Sequence, residues 1–170
     1  MEHVVLVNEH DEPMGLMEKM EAHQKGLLHR AFSVFVFNTK GELLLQKRAA
    51  SKYHSPNLWT NTCCSHPREK ETTLEAANRR LMEEMGMTCH LKHAFHFIYQ
   101  VSLDQGMIEH ELDHVFIGTT DNLPVINPSE VGAYDYFPIS DLSKQVIDQP
   151  EKFTEWFKIC FDEVLKHYKP

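Results

Sequence analysis

Residues 65–87 read SHPREKETTLEAANRRLMEEMGM and set acids and arginines at fixed intervals. Glu71 is followed, after seven intervening residues, by Arg79 and Arg80, and then by Glu83, Glu84 and Gly86. Clustered carboxylates hold a divalent cation, which can clamp phosphate oxygens or activate water. Arginine does something different: its planar fork of donors grips phosphate oxygens but holds no metal. Arg80 and Glu84 are four apart and share one face of a helix. A cation placed among the acids suits a grip on phosphate oxygens better than their metal-assisted cutting.

A helix must position these groups. Thr72 begins it, Thr72 and Glu75 form a T-x-x-E capping box, and Gly86 supplies the stop. Leu74, Ala77, Leu81 and Met85 form its expected buried stripe. Residues 58–64 read as a strand leading into the motif, 4–7 as a strand and 11–15 as a turn. Residues 19–30 read as a loop-rich stretch turned by Lys25-Gly26. Residues 32–37 and 42–46 form an expected hairpin around 38–41. Residues 95–103 and 107–118 read as strands joined by a turn at 104–106, and 134–138 as a short strand. Residues 140–147 and 151–167 read as helices broken by Pro150. Strands and helices mix without regular βαβ alternation. The expected fold class is α/β (α+β), a sandwich of a mixed β-sheet flanked by helices. The 170 residues suit one domain, 1–170.

Composition narrows the functions. Net charge is −8 and there is no Lys/Arg run, which argues against nucleic acid as a partner. No apolar stretch approaches transmembrane length, and the N-terminus lacks a basic segment followed by a long apolar run. Cys63, Cys64, Cys89 and Cys160 include no C-x-x-C, and an adjacent pair makes a poor disulfide framework. A reducing cytoplasm and a monomer or weak dimer are the expectation. Twelve histidines make metal ligation worth testing.

The 65–87 spacing resembles the Nudix box, G-x5-E-x7-R-E-U-x-E-E-x-G-U with U aliphatic. Glu71, Arg79, Leu81, Glu83, Glu84, Gly86 and Met87 match it. Ser65 replaces the first glycine, and Arg80 replaces a metal-binding glutamate. The resemblance extends further. EKMEAH, LLHRAFS, KRAASK, WTNTCCSHP, NRRLMEEMG, IEHELD and FTEWF occur in one order between about residue 3 and residue 160. No single segment is specific, but together they resemble type I isopentenyl-diphosphate isomerase, a family of the Nudix superfamily.

That resemblance implies three groups of residues. The first is a site for a divalent ion, Mn²⁺, Zn²⁺ or Mg²⁺, made by His23, His29, His66, Glu109 and Glu111. Glu109 and Glu111 are two apart on an expected strand, so they share a face and repel unless a cation or proton lies between them. The second group grips the diphosphate through Lys19, Arg48, Lys52 and Arg80. Glu84 and the backbone carbonyl of Cys64 would hold a Mg²⁺ that bridges the phosphates. The third group is Cys64, Glu111, Tyr99 and Trp156. Moving the double bond of isopentenyl diphosphate to give dimethylallyl diphosphate adds one proton to an alkene and removes another, through a tertiary carbocation. Glu111 with Tyr99 would exchange one proton and Cys64 the other, in either order, while Trp156 faces the cation. Cys63 alternates to the other side of its strand.

Each residue also has a plainer reading. A single histidine or lysine here is ordinary surface, Cys64 a buried thiol, and Trp156 or Trp59 a packing residue. His93, His96, His110 and His114 match no family ligand and read as structural. Two other functions compete: a Nudix diphosphohydrolase of a nucleotide or related diphosphate, and a catalytically silent diphosphate-binding module. Arg80 together with Cys64, Glu111 and Trp156 opposes hydrolysis. None of the positions matched to the isomerase family is lost, which opposes the silent module.

Overall fold

The run HRAFSVFVF forms β3 (His29–Phe37), in which every residue but Arg30 is buried. A strand covered on both faces belongs at the centre of a sheet, and the computed structural model, which describes residues 2–103 and 106–169, puts it there. On one edge β3 runs parallel to β8 (Ile108–Thr119), from His29 opposite Glu111 to Phe37 opposite Thr119. On its other edge it meets, in turn, β1 (His3–Val7), β6 (Cys63–Ser65) and β4 (Glu42–Arg48), all antiparallel. β2 (Pro13–Glu18) pairs with β1, β7 (Lys92–Ser102) with β8, and both β5 (Trp59–Thr60) and β9 (Val131–Pro138) with β4. The sheet is therefore mixed, as expected.

Strand alternation divides the core. Phe32, Val34 and Val36 pack against α2 (Thr73–Met85) through Ala76, Ala77, Leu81 and Met85. Phe35 and Phe37 point the other way, onto Phe157, Cys160, Phe161 and Val164 of α4 (Glu155–His167). With α1 (Lys19–Lys25) and α3 (Ile139–Asp148), helices flank both faces. None of the described helices is long and apolar enough to cross a membrane.

Several elements differ from the sequence reading. Residues 58–64 are two strands. Asn61 donates to the Cys63 carbonyl at 2.7 Å, and Thr62 donates to the Leu44 carbonyl at 2.6 Å while accepting from Val36 N at 2.9 Å. These side chains replace ladder bonds while the chain crosses from β4 to β3. Residues 19–25 are a helix rather than loop. Glu18 caps it by accepting from Glu21 N, and Gly26 ends it at φ 63°. The turn at 11–15 is shorter than expected: Asp11 takes φ 62°, and β2 begins at Pro13. The last helix starts at Glu155, because Thr154 N is held by the Trp59 carbonyl at 3.0 Å and the chain stays extended. Leu74 is 42% exposed, and Ala76 takes the buried place. Of the expected turn at 104–106, Asp104 and Gln105 lie outside the described residues.

The Nudix-like motif is locally stable in physical terms. Both halves of the Thr72–Glu75 capping box are made. Arg79 binds both oxygens of Glu71, at 2.7 and 2.8 Å, and so ties the preceding loop to α2. Ser65 needs no glycine, since it pairs with Phe32 as ordinary strand. Gly86 does need to be glycine: it sits at φ 60°, and an added Cβ would lie 2.3 Å from the Val125 carbonyl oxygen. Gly86→Ala is expected to lower unfolding free energy by about 2 kcal/mol or more, combining left-handed strain with overpacking. A urea titration checks this through the shift in midpoint at unchanged slope.

Candidate active site

Three strands bring the chemistry to one level. In register, His29 of β3 and Tyr99 of β7 both stand opposite Glu111 of β8. α1 adds His23, after which Gly26 turns the chain into β3, and the segment leaving β6 adds His66. His23, His29, His66 and Glu111 are all buried, and one ligand atom from each lies within 4.8 Å of the others. His66 Nε2 is 2.9 Å and His29 Nε2 3.4 Å from Glu111 Oε1, and His23 Nε2 is 3.4 Å from Glu109 Oε2.

Backbone carbonyls set the imidazoles. His23 Nδ1 donates to the Lys19 carbonyl at 2.7 Å and His29 Nδ1 to the Leu27 carbonyl at 2.8 Å. In its neutral form each ring therefore turns a bare Nε2 inward, and both nitrogens are buried without a hydrogen-bond partner. A carbonyl behind an imidazole that presents a bare nitrogen is the usual arrangement around a bound metal. A buried orphan nitrogen is costly unless something binds it. This donor set of imidazoles and carboxylates fits a divalent ion of the Zn²⁺, Mn²⁺ or Mg²⁺ type.

The two carboxylates share a face, as their spacing requires, and their protonation diverges. Burial, then the charge of Glu111, pushes Glu109 up to about 7. Burial would raise Glu111 too, but the imidazoles of His29 and His66 beside it hold it well below the ordinary carboxylate range. Asp113, next along the same face, is pushed well up by burial and by Glu111, and it accepts from Ser33 Oγ at 2.7 Å. His54 was not among the sequence candidates, yet its Nε2 lies 3.2 Å from Glu109 Oε1. With His23 and Glu109 it forms a second possible ligand group. Burial, then Arg48, lowers His54 to about 3, so its ring is neutral. No periodicity points to it: it follows β4 in a loop, where only proximity to Lys52 in sequence gave a signal.

One cavity connects this cluster to the remaining candidates. Cys64, Tyr99, Trp156, Glu109, Glu111, His66, Glu84 and all four candidate cations line it, while His23 and His29 lie behind. Cys64 and Cys63 do face opposite ways: Cys63 is buried against α2, Cys64 packs on the α4 side. Cys64 and Glu111 come from strands on opposite edges of β3. Burial pushes the Cys64 thiol up to about 12, so it rests protonated. Tyr99 donates to Glu111 Oε2 at 2.7 Å. Trp156 presents its ring to the Arg48 guanidinium, 5.4 Å from the ring centroid. Trp59 is a packing residue, edge-on to Phe137.

Three of the four cations are already paired with carboxylates. Lys19 pairs with Glu2 at 3.0 Å, Lys52 with Glu130, and Arg80 with Glu83, Glu84 and Glu130. Arg48 alone of the four has no carboxylate partner among the described residues; it donates to the His54 carbonyl at 3.1 Å. Glu84 is buried, with Oε1 on Arg80 and Oε2 accepting from Gln46 at 2.7 Å. Glu2 and Glu130 carry no sequence signal, because both are far from the motif.

Comparison with known proteins shows the family. The NUDIX domain family matches residues 27–157. An "Isopentenyl-diphosphate Delta-isomerase" of Pectobacterium atrosepticum is 52% identical over 98% of this chain and 93% of its own. An "Isopentenyl-diphosphate Delta-isomerase 2" of Photorhabdus laumondii is 54% identical over 91% and 88%. Among solved structures, a Deinococcus radiodurans protein superposes with TM-score 0.79 at 19% identity, covering 99% of this chain and 100% of its own, which supports the fold alone. A MutT protein of Methanosarcina mazei gives 0.69 at 17% identity over 84% and 96%. With a Nudix sheet and motif, and half its residues shared along nearly its whole length with these relatives, the chain belongs to the isopentenyl-diphosphate Delta-isomerase family of Nudix proteins.

Proposed function

We propose that the protein isomerises isopentenyl diphosphate to dimethylallyl diphosphate. The observation that carries this reading is the pair of unpartnered, inward-facing Nε2 atoms of His23 and His29 beside Glu111, itself hydrogen-bonded by Tyr99. His23, His29, His66, Glu109 and Glu111 would hold one divalent ion, of the Mn²⁺, Zn²⁺ or Mg²⁺ type. Glu84 and the Cys64 carbonyl would hold a Mg²⁺ that travels with the substrate. These ions neutralise carboxylate and phosphate charge. The ligands and the remaining machinery run from Lys19 to Trp156, so the chain works as one domain.

The residues divide the work. Arg48, Lys19, Lys52 and Arg80 grip the diphosphate, which must displace Glu2 and Glu130 from three of them. Glu111 with the Tyr99 phenol exchanges one proton at one face of the alkene, and the Cys64 thiol exchanges the other from across β3. One proton enters at the terminal carbon and one leaves from the carbon nearer the phosphates, so the substrate gains and loses equally. Between these events the tertiary cation needs a dry site, since water would trap it as an alcohol. Trp156, with its face already turned to a cation, forms that wall. Arg80 draws Glu83 and Glu84 into ion pairs, so neither is free as a base for water, and Glu84 would turn from Arg80 to the Mg²⁺ when substrate binds. We place the enzyme in the cytoplasm as a monomer or weak dimer, with neither nucleic acid nor membrane as partner.

Three outcomes test this. Cys64→Ala is expected to lower kcat by about 10²–10⁴-fold, the usual weight of a positioned acid or base. Cys63→Ala should keep activity and lose stability instead; equal kinetic losses from both, with folding intact, would refute the assignment. Chelation should abolish turnover, and restoring divalent ion should raise amide protection across residues 19–30, read by hydrogen exchange. Incubation with isopentenyl diphosphate should yield dimethylallyl diphosphate with negligible free phosphate. Phosphate release at a comparable rate would instead mark a diphosphohydrolase.

A further inference from the structure

Three histidines outside the catalytic cleft meet on the other face of the sheet. Glu109, Glu111 and Asp113 of β8 point into the cleft or beside it, so alternation sends His114 the opposite way. On β7, His96 stands opposite His114 in register. His93, three residues earlier, would fall on the wrong face of a regular strand. A bulge between His93 and Phe95 absorbs one residue, so that His93 stands opposite Phe116 and His96 opposite His114. Phe116 and His114 are two apart and share a face, and therefore so do His93 and His96. One ring nitrogen from each of the three histidines lies within 4.8 Å of the others.

His114 is already set as a ligand. Asp11 Oδ2 accepts from His114 Nε2 at 2.9 Å, which leaves Nδ1 unprotonated. Arg30 holds the other Asp11 oxygen at 2.6 Å and fixes the carboxylate. His114 Nδ1 lies 3.1 Å from His93 Nε2. Two imidazole nitrogens bound tetrahedrally to one zinc at about 2.0–2.1 Å lie about 3.3–3.4 Å apart, so little movement separates this pair from a chelating one. A carboxylate behind a histidine is the support that orients metal-binding imidazoles. Partial desolvation, then His96, lowers His93, and burial lowers His114, so their lone pairs are available at neutral pH.

We propose that His93, His96 and His114 form a second metal site, for zinc or a similar borderline transition ion, with Asp11 orienting His114. An all-imidazole set suits such an ion and not Mg²⁺. The fourth position is open to water, since His93 and His96 are exposed. A bound ion ties β7 to β8 and, through Asp11, to the β1–β2 connection.

Zn²⁺ alone is the probe, titrated by equilibrium dialysis into metal-stripped full-length protein. The catalytic cluster takes ions as well, so the readout is the difference in stoichiometry. Wild type is expected to bind one equivalent more than His96→Ala and than the His93→Ala/His96→Ala pair, both changes at exposed positions. Asp11→Asn should keep that equivalent but weaken it about 10- to 100-fold. Zn²⁺ should also raise the wild-type Tm by more than it raises that of the variants. Equal stoichiometry in wild type and variants overturns the site. So does an equal loss from His90→Ala and His167→Ala, which would mean scattered surface binding.

Discussion

Two carboxylates buried on one face of a central strand set the terms for everything around them. Unit charges about 4 Å apart repel by about 4 kcal/mol at an effective dielectric near 20. Glu109 and Glu111 are both buried, and neither escapes to water. The molecule answers by dividing the charge: Glu109 is pushed up toward neutrality while His29 and His66 hold Glu111 ionised. That answer needs imidazoles from α1, β3 and the end of β6 at one point. The parallel β3–β8 register, the left-handed Gly26 and the crossing at Asn61 and Thr62 can all be read as the means of delivering them.

The Nudix motif has been turned to a different use without rebuilding. Its frame is intact: the capping box, the Arg79–Glu71 clamp and the Gly86 stop hold α2 as the pattern requires. Two of its positions differ, Ser65 and Arg80, and Arg80 is the one that meets the motif's own acids. Arg80 ties up Glu83 and Glu84 and reaches Glu130, so acids that could serve water activation are spent on binding a cation. On the face of the sheet away from α2, Cys64, Tyr99 and Trp156 lie against the α4 layer, where the proposed proton chemistry would sit.

Both faces of β8 carry histidine or acid chemistry, and a single bulge separates their uses. Without it His93 and His96 would point to opposite faces of β7. With it, three rings gather over β8 behind the cleft. Three of the histidines that matched no family ligand thus share a face, a grouping invisible in a spacing of three.

The sequence alone determined what local physics controls. The α2 boundaries follow from Thr72, Glu75 and Gly86. The opposed faces of Cys63 and Cys64, and the shared face of Glu109 and Glu111, follow from a period of two. Ordered motifs also specified which residues gather at the cleft, because family resemblance carries tertiary information that periodicity lacks. Only the fold decided the rest. The crossing at 61–62 depends on side chains reaching strands far away in sequence, so it read as one strand. α1 read as loop because seven residues with caps of Glu and Gly are too short for a periodic signal. His54, Glu2 and Glu130 enter the site through contacts spanning tens of residues, and no pattern in a window can report a distance across a sheet.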